Sequence, residues 1–358
     1  MNYRMKRFLH PIKTTLFLLV CSSAISIAQP TEHHLANIRQ LTFGGDNAEA
    51  YFSPDGTKLS FQSNNKAWGH SCDQIHMMNI HHADADSSYR APLISTGKGR
   101  TTCSYFMPNN SDILYASTHE TDAACPPAPA PRADRKYLWQ VLPSYDIYVA
   151  DASGIVKSKL TDRNGYDAEA TLSRKGDIIV FTSDRSGDLE LWTMKFDGTD
   201  LHQITNELGY DGGAFFSPDG TKLVYRASRP RTEEAQREYK ELLAQGLVAP
   251  TDMEIYTCNI DGSNVQQITK LGKANWAPYY HPSSKKIIFA SNHASQRGYD
   301  FQLYMINLDG TGLEQITFES IFNAFPMFSP DGKYLVWSSN RNNNGTRDTN
   351  VFMAEWVE

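Results

Sequence analysis

The stretch Phe52-Ser-Pro-Asp-Gly-Thr-Lys-Leu-Ser-Phe61 returns as Phe216-Ser-Pro-Asp-Gly-Thr-Lys-Leu-Val-Tyr225 and again as Phe328-Ser-Pro-Asp-Gly-Lys-Tyr-Leu-Val-Trp337. Looser copies fill the gaps: Phe106-Met-Pro-Asn-Asn-Ser-Asp-Ile-Leu-Tyr115, Leu172-Ser-Arg-Lys-Gly-Asp-Ile-Ile-Val-Phe181 and Tyr280-His-Pro-Ser-Ser-Lys-Lys-Ile-Ile-Phe289. In each, an apolar strand runs into a turn where proline presets φ and glycine accepts a positive one. A second strand of β-branched and aromatic residues follows.

Working outward, each copy is followed by a third strand: Gln74–Asn79, Asp146–Ala150, Glu190–Met194, Glu254–Cys258, Gln302–Ile306 and Asn350–Ala354. Asp-Gly turns at Asp197-Gly198, Asp261-Gly262 and Asp309-Gly310 lead to fourth strands ending Gln-Ile-Thr, as in His202–Thr205, Gln266–Thr269 and Glu314–Thr317. Four short antiparallel strands repeated six times predict an all-β, six-bladed β-propeller over residues 38–356. The last copy ends on its third strand, whereas Arg39-Gln-Leu-Thr42 is a fourth-strand sequence at the other end of the chain. The N-terminal strand is therefore expected to complete the last blade and remove the open seam.

These Ser-Pro-Asp-Gly repeats, with their trailing Ser-x-Arg, resemble those of the TolB-type propeller family along essentially all of residues 38–356. The resemblance implies the fold more than the job. Such repeats also build propellers of serine peptidases and oligogalacturonate lyases, and TolB itself carries an additional N-terminal α/β domain for which no room is expected here.

The first 15 residues hold Arg4, Lys6, Arg7 and Lys13 and no acid; the apolar run Leu16–Ala28 then ends in Ser26-Ile27-Ala28. This reads as a secretory signal peptide over residues 1–28, which places the mature chain in the periplasm or outside the cell. The run is short for a membrane span, so no integral membrane segment is expected after cleavage. Cys21 follows Val20 where a lipoprotein signal usually has a small residue, so lipidation is the lesser alternative. The net charge of −6 includes the four leader cations, so the mature chain is more acidic still. That balance argues against nucleic acid as a partner.

Two loops joining second to third strands are long, residues 118–144 and 228–252. Both fall on the face of the ring that also carries the blade-leading loops, and long loops on a rigid scaffold commonly carry function. In the second, Thr232 suits an N-cap, Glu233 and Glu234 the first turn and Gly246 the C′ position of a short helix, with Tyr239, Leu242 and Leu243 on one side. The blade-leading loops bring Asn47, Glu49, Arg100, Tyr166, Asp167, Glu169, Tyr210, Asp211, Asn275, Trp276 and Asn323 toward the axis. Polar groups beside aromatic walls suit a small-molecule, peptide or glycan ligand or a protein partner at the pore mouth. A ring of oxygens also suits a divalent cation at the axis. Ordinary turn chemistry is the bland alternative.

No Gly-x-Ser-x-Gly elbow occurs, so no catalytic residue is assigned. Glu49 with Glu169, or Asp167 with Asp211, are the carboxylate pairs that a carbohydrate-active hydrolase or lyase would use. Histidines His70, His76, His119, His281 and His293 lack zinc spacing. Export favours a disulfide among Cys72, Cys103 and Cys125. Cys72–Cys103 is the expected pair and Cys103–Cys125 the second choice, with zinc or copper on these thiols plus His70 or His119 as a further option. Cys258 is expected to be a buried thiol. Arg185, Arg229 and Arg341 occupy matching places after second strands and are expected to be structural, between blades. The function expected is a binding scaffold working through the loop-rich face.

Overall fold

The computed structural model describes residues 31–81, 88–130, 132–134 and 136–358. The expected signal peptide and Cys21 lie outside them. Residues 32–358 form one unit. Strand β1 (Leu35–Gln40) comes first in the chain. Blade one follows with β2 (Asp46–Phe52), β3 (Lys58–Asn64) and β4 (Gln74–Asn79). Blade two holds β5 (Thr101–Phe106), β6 (Ile113–Ser117), β8 (Asp146–Ala150) and β9 (Val156–Lys159), with the small β7 (Trp139–Gln140) in its long loop. Blade three is β10 (Asp167–Leu172), β11 (Ile178–Ser183), β12 (Glu190–Lys195) and β13 (His202–Gln203).

Blade four is β14 (Asp211–Phe216), β15 (Lys222–Ala227), β17 (Glu254–Asn259) and β18 (Gln266–Gln267). Helix α1 (Glu233–Leu243) and β16 (Leu247–Val248) lie between its second and third strands. Blade five is β19 (Asn275–Tyr280), β20 (Lys286–Ser291), β21 (Gln302–Asn307) and β22 (Glu314–Gln315). Blade six is β23 (Asn323–Phe328), β24 (Tyr334–Ser339) and β25 (Asn350–Trp356).

The ring closes as the sequence predicts. β1 pairs antiparallel with β25, Arg39 opposite Met353 and Gln40 opposite Phe352, so the outer strand of blade six comes from the N-terminal end. That strand starts earlier than Arg39, at Leu35. Among the described residues, blade one has three strands plus a single bridge from His76 to Leu93. Pro92 sits beside that bridge and has no N–H to extend it.

The repeat explains itself residue by residue. In the Ser-Pro-Asp-Gly turn, Ser53 Oγ donates to Asp55 Oδ1 (2.6 Å) and accepts from the Lys58 amide (3.0 Å), and Ser217 and Ser329 repeat the pattern. The aromatic that ends each copy is fully buried: Phe61, Tyr115, Phe181, Tyr225, Phe289 and Trp337. Each such side chain contributes about 1.5–3 kcal/mol by leaving water. In Gln-Ile-Thr, the glutamine amide donates to the threonine carbonyl, at 2.8 Å for Gln203, Gln267 and Gln315. The threonine hydroxyl accepts from a third-strand amide, as Thr205 does from Leu191 (2.9 Å) and Thr317 from Leu303 (2.8 Å). The outer strands are thereby pinned although they are only two residues long.

Candidate functional site

At the same step of every innermost strand the chain bulges. Glu49, Cys103, Glu169, Gly213, Ala277 and Phe325 all have φ between +48° and +58°, and the strand register slips at each. A left-handed non-glycine residue costs on the order of 1 kcal/mol, so five of these six carry strain. The bulge breaks the strand's two-residue alternation and turns these six residues toward the axis. All six border a waist of about 30 Å³.

Above the waist lies a cavity of about 700 Å³. Its floor is a preformed polar cluster. Glu169 contacts the Arg226 guanidinium, and its Oε2 accepts from Tyr210 Oη (2.5 Å), Thr182 Oγ1 (2.8 Å) and the Gly213 amide (3.0 Å). Arg226 also donates to Tyr210 Oη (2.8 Å). The Gly212-Gly213 pair makes room: a β-carbon at Gly213 would collide with the Arg226 guanidinium, and one at Gly212 with Glu169 and Tyr210. Glu49 faces this cluster. Burial pushes its carboxyl up to about 7, with the Glu169 charge adding to the rise and a hydrogen bond with Cys103 opposing it. Burial likewise raises the Cys103 thiol, with Glu49 and Glu169 adding to it, so it is a poor nucleophile.

The two insertions build the roof together. β7 pairs with β16, Trp139 opposite Val248 and Gln140 opposite Leu247. The Val141 amide donates to the Gly246 carbonyl (2.7 Å), and Glu238 on α1 takes Arg132 (2.8 Å) and Lys136 (3.0 Å). Thr232 caps α1 as expected, accepting from the Ala235 amide (3.1 Å). The helix stops sooner than expected, with Ala244 as C-cap. Gly246 takes its positive φ (+68°) two residues later, where the chain turns into β16. Through this cap Trp139 reaches the site: its ring lies 5.0 Å from the Arg226 guanidinium and 5.2 Å from the Trp276 ring.

Of the eleven residues expected at the pore mouth, six line the cavity: Glu49, Arg100, Tyr166, Glu169, Tyr210 and Trp276. The other five do not. Asn47, Asp167, Asp211, Asn275 and Asn323 are fully buried in the blades. Asn275 and Asn323 donate to the neighbouring blade's Glu254 (3.1 Å) and Gln302 (2.9 Å), and Asn47 to Asn350 (3.2 Å). Asp167 takes Arg185 (2.9 Å) and Asp211 takes Arg229 (2.5 Å). Those arginines are structural as expected: each holds an acid of its own blade, and Arg229 also reaches Glu207 in the link from blade three (2.9 Å). Arg185 lies over Phe181 and Trp192 of its own blade, and Arg341 holds Glu32 of the N-terminal segment with two 3.0 Å bonds. Arg226 and Trp139 also line the cavity, beyond the residues expected from the sequence.

The disulfide differs from the expected pair. Cys72 is bonded to Cys125, which ties blade one to the blade-two insertion. Cys103, expected in a loop, lies in β5 at the bulge and turns to the axis, so neither Cys72–Cys103 nor Cys103–Cys125 forms. A zinc or copper site on these thiols loses two ligands to the disulfide. His70 instead bonds His76 (2.8 Å) and His119 bonds Ser117 (2.9 Å). Cys258 is a buried thiol, as expected. The axial ring fits a divalent cation poorly: both Glu169 oxygens are taken, and Arg226 stands beside them.

Residues 127–242 and 239–355 each match the model of the TolB β-propeller domain family. The chain belongs to that family. Among TolB-type relatives, a TolB homologue of Chlorobium luteolum is 29% identical over 138 residues, 32% of this chain and 32% of that one. An uncharacterised Agrobacterium fabrum protein is 26% identical over 141 residues, 37% of this chain and 44% of that one. The chain thus spans less than half the length of these relatives. Among solved structures, a candidate TolB from Agrobacterium tumefaciens superposes with a TM-score of 0.53 at 18% identity, over 88% of this chain and 91% of that one. An oligogalacturonate lyase in complex with manganese gives 0.50 at 15% identity, over 89% and 80%. At these identities the likeness is one of fold.

Proposed function

We propose that this chain is an exported binding scaffold that takes a small ligand or a segment of a partner protein into the capped axial cavity. The observation that carries the reading is the cavity's construction. A 700 Å³ space with a fixed Arg226–Glu169–Tyr210 floor and a Trp139–Trp276 wall is preorganised, so little ordering is left to oppose binding. Two insertions, joined to each other by β7 and β16, cover it. The Cys72–Cys125 disulfide supports an oxidising compartment, periplasmic or extracellular. Among the described residues no helix is long and apolar enough to cross a membrane.

A second reading, a carbohydrate-active hydrolase or lyase, has one observation in its favour: Glu49 and Glu169 border the same cavity. Glu169 is bound to Arg226, which ill suits a proton carrier, and among the described residues no histidine lines the cavity.

The test is capture by immobilised mature protein from the exported fraction of its own cells, wild type against Trp139→Ala. A partner or small molecule held by the wild type and lost by the variant supports the scaffold. Identical captures by both would sink it. Cleavage of polygalacturonate or another uronide polymer, abolished in Glu49→Gln, would favour the second reading instead.

A further inference from the structure

His33 and His34 precede β1, and Glu314 lies on β22, the outer strand of blade five. Here the N-terminal segment reaches across the seam between blades five and six. His34 Nε2 lies 3.0 Å and His33 Nε2 3.3 Å from the same carboxylate oxygen, Glu314 Oε1. Among the described residues these three are the one group of histidine, cysteine and carboxylate side chains whose donor atoms converge, all within 4.8 Å of one another.

The hydrogen bonds of His34 decide what lies between these atoms. Its Nδ1 is 2.6 Å from the carbonyl oxygen of Val357. A carbonyl only accepts, so Nδ1 carries the proton and donates. In a neutral imidazole that leaves Nε2 with a lone pair, aimed at a carboxylate oxygen that is also an acceptor. Two acceptors at 3.0 Å need a cation between or beside them, either an extra proton or a metal ion. An Nδ1–H held by a backbone carbonyl is the usual outer support of a metal-bound histidine, because it fixes tautomer and ring plane. The ring is held further by stacking on Trp356, at 4.8 Å and 5° between planes. Donor separations of 3.0 and 3.3 Å also match the edge of a tetrahedron around zinc, about 3.3 Å for bonds of about 2.0 Å.

We propose that His33, His34 and Glu314 bind a divalent transition metal of the zinc type, which fastens the N-terminal closing strand to blade five. Two imidazoles and a carboxylate suit zinc or copper and disfavour magnesium, which prefers oxygen ligands throughout. The neighbouring Glu32 already holds the same segment to blade six through Arg341 and to the Phe318 and Glu319 amides (2.8 and 3.1 Å). The metal adds a hold on β22 itself, the outer strand of blade five. It stabilises the ring through its preference for the folded state.

The experiment is calorimetric titration of the mature protein, chelator-treated and free of any polyhistidine tag, with zinc chloride and separately with magnesium chloride at neutral pH. One zinc ion per chain is expected, magnesium giving no heat, with a rise in Tm on zinc addition. His33→Ala and Glu314→Gln each weaken zinc by ten-fold or more and abolish the Tm rise, while His70→Ala leaves both unchanged. His33 is 62% exposed, so its loss leaves the fold intact. Circular dichroism of each variant without metal checks this. Absence of zinc binding in the wild type, or equal affinity in the folded His33→Ala and Glu314→Gln variants, overturns the proposal.

Discussion

Glu190 and Asp211 stand together in the seam between blades three and four, two buried acids whose charges repel each other. The equivalent seam between blades five and six joins Gln302 to Asn323, an amide pair (2.9 Å) that needs no proton. Two carboxylates cannot meet so without one. Burial, with the Asp211 charge adding to it, pushes Glu190 up to about 9. A raised folded-state pKa means that the folded chain keeps a proton the unfolded chain has released. The stabilisation is therefore complete below the ordinary carboxylate range, near 4.5, and is lost as pH rises toward about 9.

Glu190→Gln reproduces in this seam the side chain that the chain uses at Gln302. The variant is expected to match the wild type near pH 5 and to exceed it by about 1–2 kcal/mol near pH 9. Urea midpoints at the two pH values check this. A variant less stable than the wild type at both would contradict the retained proton.

The Cys72–Cys125 bond closes a loop over a sequence separation of 53 residues. On the chain-entropy account it stabilises by about 4 kcal/mol. Cys125→Ser should therefore lower the melting temperature as much as reductant lowers that of the wild type, and reductant should then have no further effect. Cys103→Ser should keep the full response to reductant. The reverse pattern would restore the Cys72–Cys103 pairing.

Trp139 offers a measure of the cap. Its ring covers the Arg226 guanidinium and leans on Trp276, so Trp139→Ala removes a partly desolvated cation–π contact and an aromatic contact. A loss of about 2 kcal/mol is expected. Proteolysis of residues 118–144 should speed up while the blades stay protected. An unchanged cleavage rate would mean that β7 and β16 hold without it.

What was legible follows the range of the interactions. The turns, the six buried aromatics and the Gln-x-Thr pins are local, so each is written within a few residues, and repetition makes them plain. The pairing of β7 with β16 joins two insertions more than a hundred residues apart, and no local pattern announces it. In the sequence Asn47 and Glu49 look equivalent, because they stand two apart in one strand. The bulge at Glu49 turns its side chain to the axis and leaves Asn47 in the seam. Arg226 had a readable signal. The same second-strand step holds Gln62, Ala116, Thr182, Ala290 and Ser338 elsewhere, and Arg226 pairs with Gly212 in the Gly-Gly step that makes way for it.

Glu49 sets the electrostatics of the cavity floor. Around it stand Cys103 from β5, Glu169 from β10, Arg226 from β15 and Tyr51 from its own strand, with Asp73 beyond. With its carboxyl raised to about 7 by burial, the folded state holds a proton between about 4.5 and 7 that the unfolded chain lacks. Stability from this group is thus full below that window and falls through it as pH rises. The whole shift would correspond to about 3 kcal/mol; since Glu49 keeps partial contact with solvent, about 2 kcal/mol is the expected change. Glu49→Gln removes the charge that appears above pH 7 and keeps the shape. Its urea midpoint should stay flatter than that of the wild type from about pH 5 to 8, and the variant should be the more stable protein at the upper end. Parallel pH curves for the two would place the Glu49 carboxyl in ordinary solvent, and the cavity floor would then carry a fixed negative charge at neutral pH.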